Sequence, residues 1–147
     1  MSNNVYNLKN IPSMPERILS SLAYLTLGTV GLLMIIASAI LKTGLKPFVK
    51  FNSYQAILLG VIFVFIKVTF IVLSAIFNFI SFIPFIGTFL NSIFQFIIYY
   101  LMGFPVLFGF SLLALFIMSL ILYLTVLSLL GKVSYIPFVS DVLKGRI

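Results

Sequence analysis

The sequence predicts an all-α integral membrane protein. Two stretches without any charged side chain are the main evidence: 64 residues separate Lys67 from Lys132, and 24 residues separate Arg17 from Lys42. The mean hydropathy of +1.30 is a third observation. The hydrocarbon core of a bilayer offers no water to backbone N–H and C=O groups, so apolar stretches of this length are stable there as helices.

Composition excludes several classes of function. The chain contains no Cys and no His, and its only carboxylate side chains are those of Glu16 and Asp141. Disulfides, zinc or haem sites built on Cys or His, and Ser–His or Cys–His catalysis are therefore excluded. We predict that the protein is not an enzyme and holds no cofactor or metal. The net charge of +7 comes from Lys and Arg that lie mostly at segment ends, which indicates a lipid-bilayer partner and no nucleic acid.

Residues 1–15 are predicted to be a disordered polar tail, and residues 16–147 a single helical membrane domain. The tail is rich in Asn and Ser and contains Pro12 and Pro15. Proline is favoured in the first turn of a helix, so Pro15 indicates where the membrane domain begins.

The first apolar segment, residues 16–41, is predicted to be one helix that crosses the bilayer. A helix of this length measures about 36–39 Å, more than the roughly 30 Å of a hydrocarbon core. Ser21, Gly28 and Ala39 share one face of this helix. Small side chains let helix backbones approach closely in lipid, so this face is predicted to pack on a neighbouring helix.

The second segment, residues 52–78, follows a short basic loop and has one polar face. The loop contains Lys42, Lys46 and Lys50, and the face contains Ser53, Gly60, Lys67, Ser74 and Asn78. A charge at the depth of Lys67 costs about 2.5–3.5 kcal/mol on insertion scales. Two interpretations stay open: Lys67, Ser74 and Asn78 contact a polar interior or a partner, or the Lys67 side chain extends toward the head groups.

The third segment, residues 85–102, is amphipathic. Its polar face contains Thr88, Asn91, Ser92, Gln95 and Tyr99 at helical spacing. About 18 residues are barely enough to cross a bilayer. We predict an interfacial or re-entrant helix, and the alternative is a fourth transmembrane helix whose polar face packs against the second segment.

The fourth segment, residues 106–130, is predicted to be a crossing that ends at Gly131 and Lys132. If the first, second and fourth segments cross, the basic loop and the C-terminal tail lie on one side with six Lys and Arg. Lys9 and Arg17 then lie on the other side. The positive-inside bias predicts a cytoplasmic location for the loop and the C-terminus.

A second candidate site is a contact between the basic loop and the C-terminal tail, which we call the loop–tail latch. Its predicted members are Lys50, Phe51, Asn52, Gln55, Pro137 and Asp141. Side-chain amides at the entry of a helix can bond backbone N–H groups and neighbouring helices. Asp141 is the lone acid on the predicted cytoplasmic side, where the lysine loop also lies. The alternative is an exposed Asp141 in a frayed tail, which contributes little stability.

Three short motifs resemble the Tic-twenty family, the twenty-kilodalton subunit of the chloroplast inner-envelope protein translocon with its bacterial relatives. They are Leu22-Ala23-Tyr24-Leu25 in the first segment, Lys50-Phe51-Asn52 followed by Gln55-Ala56-Ile57-Leu58-Leu59 in the second, and Ile136-Pro137 followed by Ser140-Asp141 after the last. The family usually has four crossings and a long loop after the first, whereas here the first motif runs directly into the helix before the second.

The resemblance implies a channel-type or scaffold-type component that assists polypeptide translocation or insertion. The implied partners are the lipid bilayer, further copies of the chain or other membrane proteins, and translocating polypeptides. The implied location is the bacterial cytoplasmic membrane, with the plastid inner envelope membrane as the alternative. The competing functional interpretation is a structural membrane protein that organises lipid or a partner complex and transports nothing.

Overall fold

The computed structural model describes residues 11–107, 109–136 and 140, and the described part of the chain is largely α-helical. The helices are α1 (Met14–Leu25), α2 (Thr29–Ile40), α3 (Pro47–Ile80), α4 (Ile86–Ile98) and α5 (Leu112–Leu129). A π-helical turn, Tyr99–Gly103, continues α4. The prediction of an all-α protein is confirmed.

In the described part of the chain, three helices are long and apolar enough to cross a membrane. They are Pro47–Ile80, Ile86–Gly103 and Leu112–Leu129, and Thr29–Ile40 is a shorter apolar helix. The predicted count of three spanning helices with one further element is confirmed. The assignment of two segments differs: the third segment has spanning length, and the first does not form one continuous helix.

The first segment is interrupted by a turn at Thr26, Leu27 and Gly28. The Gly28 N–H donates to the Ala23 carbonyl (2.8 Å) and the Leu27 N–H to the Tyr24 carbonyl (3.0 Å), which is the Schellman ending of a helix. The Thr26 hydroxyl also accepts the N–H of Val30 at the start of α2 (3.2 Å). The N–H groups of Leu27, Gly28 and Val30 thus all find hydrogen-bond acceptors within the turn and the end of α1. The prediction of one helix over 16–41 overlooked this left-handed turn, in which Leu27 (φ +51°) ends α1 and Gly28 (φ +90°) caps the start of α2.

α1 and α2 form a hairpin whose two ends lie together. Glu16, in the first turn of α1, makes an ion pair with Lys46, which lies after α2. Each helix has 12 residues and measures about 18 Å, too short to cross a core of about 30 Å. The predicted topology, with the start of the first segment opposite the lysine loop, is therefore wrong. The hairpin has the geometry of a re-entrant element, which is tolerated at membrane depth when its backbone is packed in protein.

The tip of the hairpin packs against the α3 backbone at glycines. A Cβ on Gly28 would lie 2.5 Å from the Ile57 Cα, and Gly28 has a φ of +90°. A Cβ on Gly60 would overlap the Leu27 carbonyl oxygen. Gly28 thus packs closely, as predicted for its face, whereas Ala39 of the same face is exposed because the turn changes the direction of α2.

The segment before α1 is folded back onto the end of α5. The Arg17 Nε donates to the Pro12 carbonyl (2.9 Å), and both residues pack against Gly131. Of the predicted disordered tail, residues 1–10 lie outside the described residues. Ser13 is the N-cap residue of α1, and its hydroxyl donates to the Glu16 carboxylate (2.7 Å).

α5 begins later and ends where predicted. Residues Val106 and Phe110 form a turn in which the Val106 N–H donates to the Phe110 carbonyl (2.9 Å), and Gly109 has a φ of +80°. Ser111 then begins the helix, since its hydroxyl accepts the Ala114 N–H (3.4 Å). The predicted start at residue 106 was wrong because the Gly109 turn interrupts the apolar run.

The chain divides into two compact units. Unit 1 contains Met1–Ile62 and Leu120–Ile147, and unit 2 contains Phe63–Ser119. Unit 1 holds most of the buried apolar side chains of the described residues, namely Ala23, Tyr24, Phe48, Val49, Phe51, Ala56, Leu59 and Leu124. Unit 2 contains the hairpin of the C-terminal half of α3 with α4. Gly87, in the first turn of α4, allows this helix to approach the end of α3, because a Cβ there would overlap the Ile80 carbonyl oxygen.

Candidate functional site in two polar clusters

Unit 1 contains a buried cluster of neutral polar side chains around Tyr24. The Tyr24 Oη lies 2.9 Å from the Asn52 Oδ1 and 2.7 Å from the Gln55 Oε1. A phenol has one proton, so Tyr24 donates to one amide oxygen at a time or shares the proton between them. All three side chains are at most 2% exposed. We call these residues, with Ser134 and Ser140, the tyrosine–amide cluster.

Gln55 connects α3 to the segment after α5. Its Nε2 donates to the Ser134 carbonyl (3.2 Å) and to the Ser140 hydroxyl (3.3 Å). The Ser140 hydroxyl in turn accepts the Ile136 N–H (2.8 Å). One buried amide therefore binds both α1, through Tyr24, and the segment that follows the last helix.

Asn52 completes the cluster within α3. Its Nδ2 donates to the Phe48 carbonyl one turn earlier (2.8 Å), which leaves its Oδ1 to accept from Tyr24. Buried polar groups are stable only when they are hydrogen-bonded, and linked bonds in a low-dielectric interior reinforce one another. The cluster therefore fixes α1, α3 and the segment after α5 in one arrangement.

Three more buried hydroxyls lack a hydrogen-bond partner among the described residues. They belong to Ser20, Ser53 and Ser128, each at most 1% exposed. Ser53 is contacted closely, because a Cβ on Gly31 would lie 3.3 Å from the Ser53 Cβ. Small residues at such positions permit close helix packing in lipid. We assign Ser53 to helix contact and not to ligand binding.

The predicted loop–tail latch falls partly outside the described residues. Phe51, Asn52 and Gln55 are buried in the first turns of α3, which begins at Pro47 and not at residue 52, and Lys50 is half-buried. Pro137 and Asp141 lie outside the described residues. The ion pair between Lys50 and Asp141 stays a prediction.

Sequence reasoning missed three members of this cluster. Tyr24, Ser134 and Ser140 were not among the predicted site residues, although Tyr24 and Ser140 belong to the motifs that resemble the Tic-twenty family. A buried tyrosine in an apolar helix needs a hydrogen-bond partner for its hydroxyl. That requirement was the available signal for Tyr24.

Unit 2 contains a second group of amides between α3 and α4. The Gln95 Nε2 lies 3.0 Å from the Ser74 Oγ, and the Asn91 Nδ2 lies 3.3 Å from the Asn78 Oδ1. Gln95 also reaches the Oδ1 atoms of Asn78 and Asn91, at 3.4 Å each. Residue numbers that rise on one helix and fall on the other show that the two helices are antiparallel. We call these four residues the amide face.

The amide face gives the polar side chains of the third segment hydrogen-bond partners on α3. Its polar residues Asn91 and Gln95 bond to Ser74 and Asn78 of α3, so they do not require the water of an interface. Phe77 and Phe94 stack beside them with ring centroids 4.0 Å apart. This pairing is the packing expected for the alternative of a crossing third segment.

Lys67 lies two turns before Ser74 on α3 and is exposed. It makes no hydrogen bond or ion pair with any residue in the described part of the chain. Its neighbours Val64, Val68 and Ile71 are exposed apolar side chains, at 62%, 50% and 67%. The ammonium therefore stands in an apolar surface, next to the amide face.

The tyrosine–amide cluster and the amide face can hold helices together and bind polar groups through hydrogen bonds. Tyrosine, amide and serine groups exchange hydrogen bonds without a change of charge. Within residues 11–107, 109–136 and 140, no group of three or more Asp, Glu, His or Cys side chains could hold a metal ion. Comparison with known proteins does not identify a function, because no family model, no curated protein and no solved structure matches the chain.

Proposed function

We propose that this membrane protein is a scaffold-type subunit of an assembly that moves polypeptides across or into a bilayer, as the Tic-twenty family does. The observation that carries this proposal is the convergence of the three motifs. Tyr24, Asn52 and Ser140 come from different motifs, yet they belong to one buried cluster through Gln55, over separations of 31 and 85 residues. Because the residues that carry the resemblance also lie together in the structure, they support an architecture shared between this chain and the Tic-twenty family.

The cluster suits a scaffold because it is closed and neutral. Its side chains bond to one another, and Tyr24, Asn52 and Gln55 are at most 2% exposed. Three spanning helices are also too few to enclose an aqueous path for a polypeptide. In this proposal, the path forms between this chain and further copies or partner proteins, in the bacterial cytoplasmic membrane or, as the alternative, in the plastid inner envelope membrane.

The second candidate function is a structural membrane protein that organises lipid or a partner complex. The closed tyrosine–amide cluster favours it equally, since a stable bundle is all that such a role requires. The two functions differ in whether a translocating polypeptide touches the chain.

Site-specific photo-cross-linking during translocation distinguishes them. A reporter preprotein with a tightly folded C-terminal domain is arrested in native membranes, and a photo-reactive residue replaces exposed Phe116 or buried Leu124 of α5. These side chains are 63% and 1% exposed. We expect cross-links to the arrested reporter from position 116 and none from position 124, and slower translocation when the chain is depleted. Normal translocation after depletion, with no reporter cross-link from position 116, would contradict the proposal and favour the structural role.

A further inference from the structure

Lys67 lies at the centre of the most apolar part of α3. Gln55 and Asn78 are separated by 22 residues, which measure about 33 Å as a helix, the thickness of a hydrocarbon core. Lys67 is the only charged residue among them, with 11 residues before it and 10 after it. Lysines reach the head groups readily near helix ends and not from the centre of a span.

The position of Lys67 cannot be moved to a boundary by sliding the helix. If Lys67 lay at one edge of the core, the apolar residues on either side would cover only about 15–17 Å of a core of about 30 Å. Exposed apolar side chains would then leave the hydrocarbon on one side of Lys67: Val61 and Val64 before it are 58% and 62% exposed, and Ile71 and Phe79 after it are 67% and 77% exposed. The ammonium therefore needs a counter-charge at depth.

Within the described residues, the chain offers no carboxylate side chain for this purpose. Its only two are those of Glu16 and Asp141, near the two ends of the sequence. Glu16 already pairs with Lys46. A second copy meeting this face through its own Lys67 would bring two ammonium groups together, which is unfavourable.

The amide face has unused hydrogen-bonding capacity on the same side of α3 as Lys67, about three turns away. Asn78 accepts bonds from Asn91 and Gln95 through its Oδ1, while its Nδ2 donates to no described residue. Asn78 is also exposed. Amides on transmembrane helices stabilise association by bonding across to polar groups on a second helix.

We propose that Lys67 and the amide face bind a transmembrane helix of a different protein, and that this helix carries an Asp or Glu at the depth of Lys67. The carboxylate neutralises the ammonium, and a hydroxyl or amide two to three turns away on the partner bonds to Asn78. Charge complementarity selects a heterologous partner over a second copy. This interaction does not depend on whether the assembly transports polypeptides.

A designed peptide tests the proposal without knowledge of the natural partner. The full chain is reconstituted in phosphatidylcholine vesicles at pH 8 and labelled with a donor fluorophore. The probe is an acceptor-labelled transmembrane peptide of Leu and Ala with one central Glu, Gln or Leu. We expect the Glu peptide to bind about tenfold more tightly than the Leu peptide, a difference of about 1.4 kcal/mol. Equal binding of the Glu and Leu peptides would overturn the proposal.

Two variants locate the site. Lys67→Leu should remove the preference for Glu and insert at least as well as the wild-type chain, since it removes a charge from an apolar, lipid-facing surface. Lys67→Leu combined with Phe65→Lys keeps the charge at nearly the same depth but moves it about 200° around the helix. We expect no preference for Glu in this double variant. Retention of the preference would show that any ammonium suffices and that the amide face is not a docking site.

An anionic lipid head group could supply the counter-charge to Lys67 instead of a protein carboxylate. A second set of vesicles tests this alternative. Vesicles containing phosphatidylglycerol should leave the preference for the Glu peptide within about twofold if a protein carboxylate is the ligand. Loss of the preference in these vesicles, with tighter lipid binding by wild type than by Lys67→Leu, would assign Lys67 to a lipid phosphate and overturn the proposal.

Discussion

Unit 1 and unit 2 both place neutral polar side chains between helices, yet they use them differently. In unit 1, Tyr24, Asn52 and Gln55 are at most 2% exposed and bond to one another and to the segment after α5. In unit 2, the amides of Asn78 and Gln95 bond across one helix pair, with longer distances and an exposed Asn78. The first group is enclosed, and the second is open on one side.

This difference indicates that the polar side chains of unit 1 stabilise the fold and that those of unit 2 can bind a partner. A fully bonded, buried network has no capacity for a ligand, and breaking it leaves unpaired groups in the interior. An open amide face next to an unpaired ammonium keeps capacity for a partner. We therefore expect changes in unit 1 to reduce stability and changes in unit 2 to reduce binding, and the following predictions test that contrast from the largest effect to the smallest.

Gly28→Val should be the most damaging substitution. The new Cβ would lie 2.5 Å from the Ile57 Cα, and a β-branched residue would have to adopt a φ of +90°. Overpacking and the backbone conformation together should cost at least about 3 kcal/mol. Unfolding of the purified chain in detergent measures the effect. Gly44→Val is the matched control, because a Cβ on Gly44 meets nothing within 4 Å. Equal stability of the two variants would show that the hairpin tip does not pack on α3.

Gln55→Leu should cost about 2 kcal/mol in the same unfolding assay. It leaves the Tyr24 hydroxyl with one fewer acceptor and removes the donor to the Ser134 carbonyl and to Ser140. Tyr24→Phe should cost less, and the double variant should cost less than the sum of the two, since both changes disrupt one network. Strict additivity would contradict a connected cluster.

Gln95→Leu is the matched substitution in unit 2, and it should cost only about 0.6 kcal/mol. Its bonds to Ser74, Asn78 and Asn91 lie at 3.0–3.4 Å in a partly exposed site, where interhelical bonds contribute modestly. The same variant should weaken binding of the Glu peptide, which Gln55→Leu should not do in the folded fraction. A loss of stability as large as that of Gln55→Leu would remove the distinction between the two units.

The ion pair between Glu16 and Lys46 should give a small, pH-dependent effect. The hydrogen bond from Lys46, and next that from Ser13, holds the pKa of the Glu16 carboxyl below its ordinary value of 4.5. Because the folded pKa is lowered, the stabilisation is present above pH 4.5 and is lost as the pH falls through the folded pKa. The unfolding midpoint of wild type should fall over that range, and that of Lys46→Gln should fall less. If the unfolding midpoints of wild type and Lys46→Gln changed identically with pH, the ion pair would not contribute to stability.

Much of the architecture could be predicted from hydrophobicity alone. The charge-free stretches correctly predicted which parts of the chain are helical, and Gly131 with Lys132 was correctly identified as the end of α5. Starts and interruptions were harder, as the turns at Gly28 and Gly109 show. A glycine within an apolar run fits either close helix packing or a helix ending, and local sequence does not choose between them.

For the two polar clusters, the sequence likewise identified the residues but not how they pair. The sequence singled out Asn52, Gln55, Lys67, Ser74 and Asn78 because polar side chains are conspicuous in apolar helices. It did not pair Gln55 with Tyr24 and Ser140, which are 31 and 85 residues away. Hydrogen bonds over such separations depend on how whole helices pack, which helix periodicity does not encode.

The sequence by itself determined that the chain belongs in a membrane, that it is helical, and which polar side chains its helices carry. Each of these follows from local properties: hydropathy over about 20 residues and a period of 3.6. Tertiary structure alone decided that the first segment folds back as a hairpin and that the third pairs with α3. Those outcomes depend on the contact of Gly28 with Ile57 and of Gln95 with Ser74, since the bilayer favours any helix and only packing between helices decides how they are arranged.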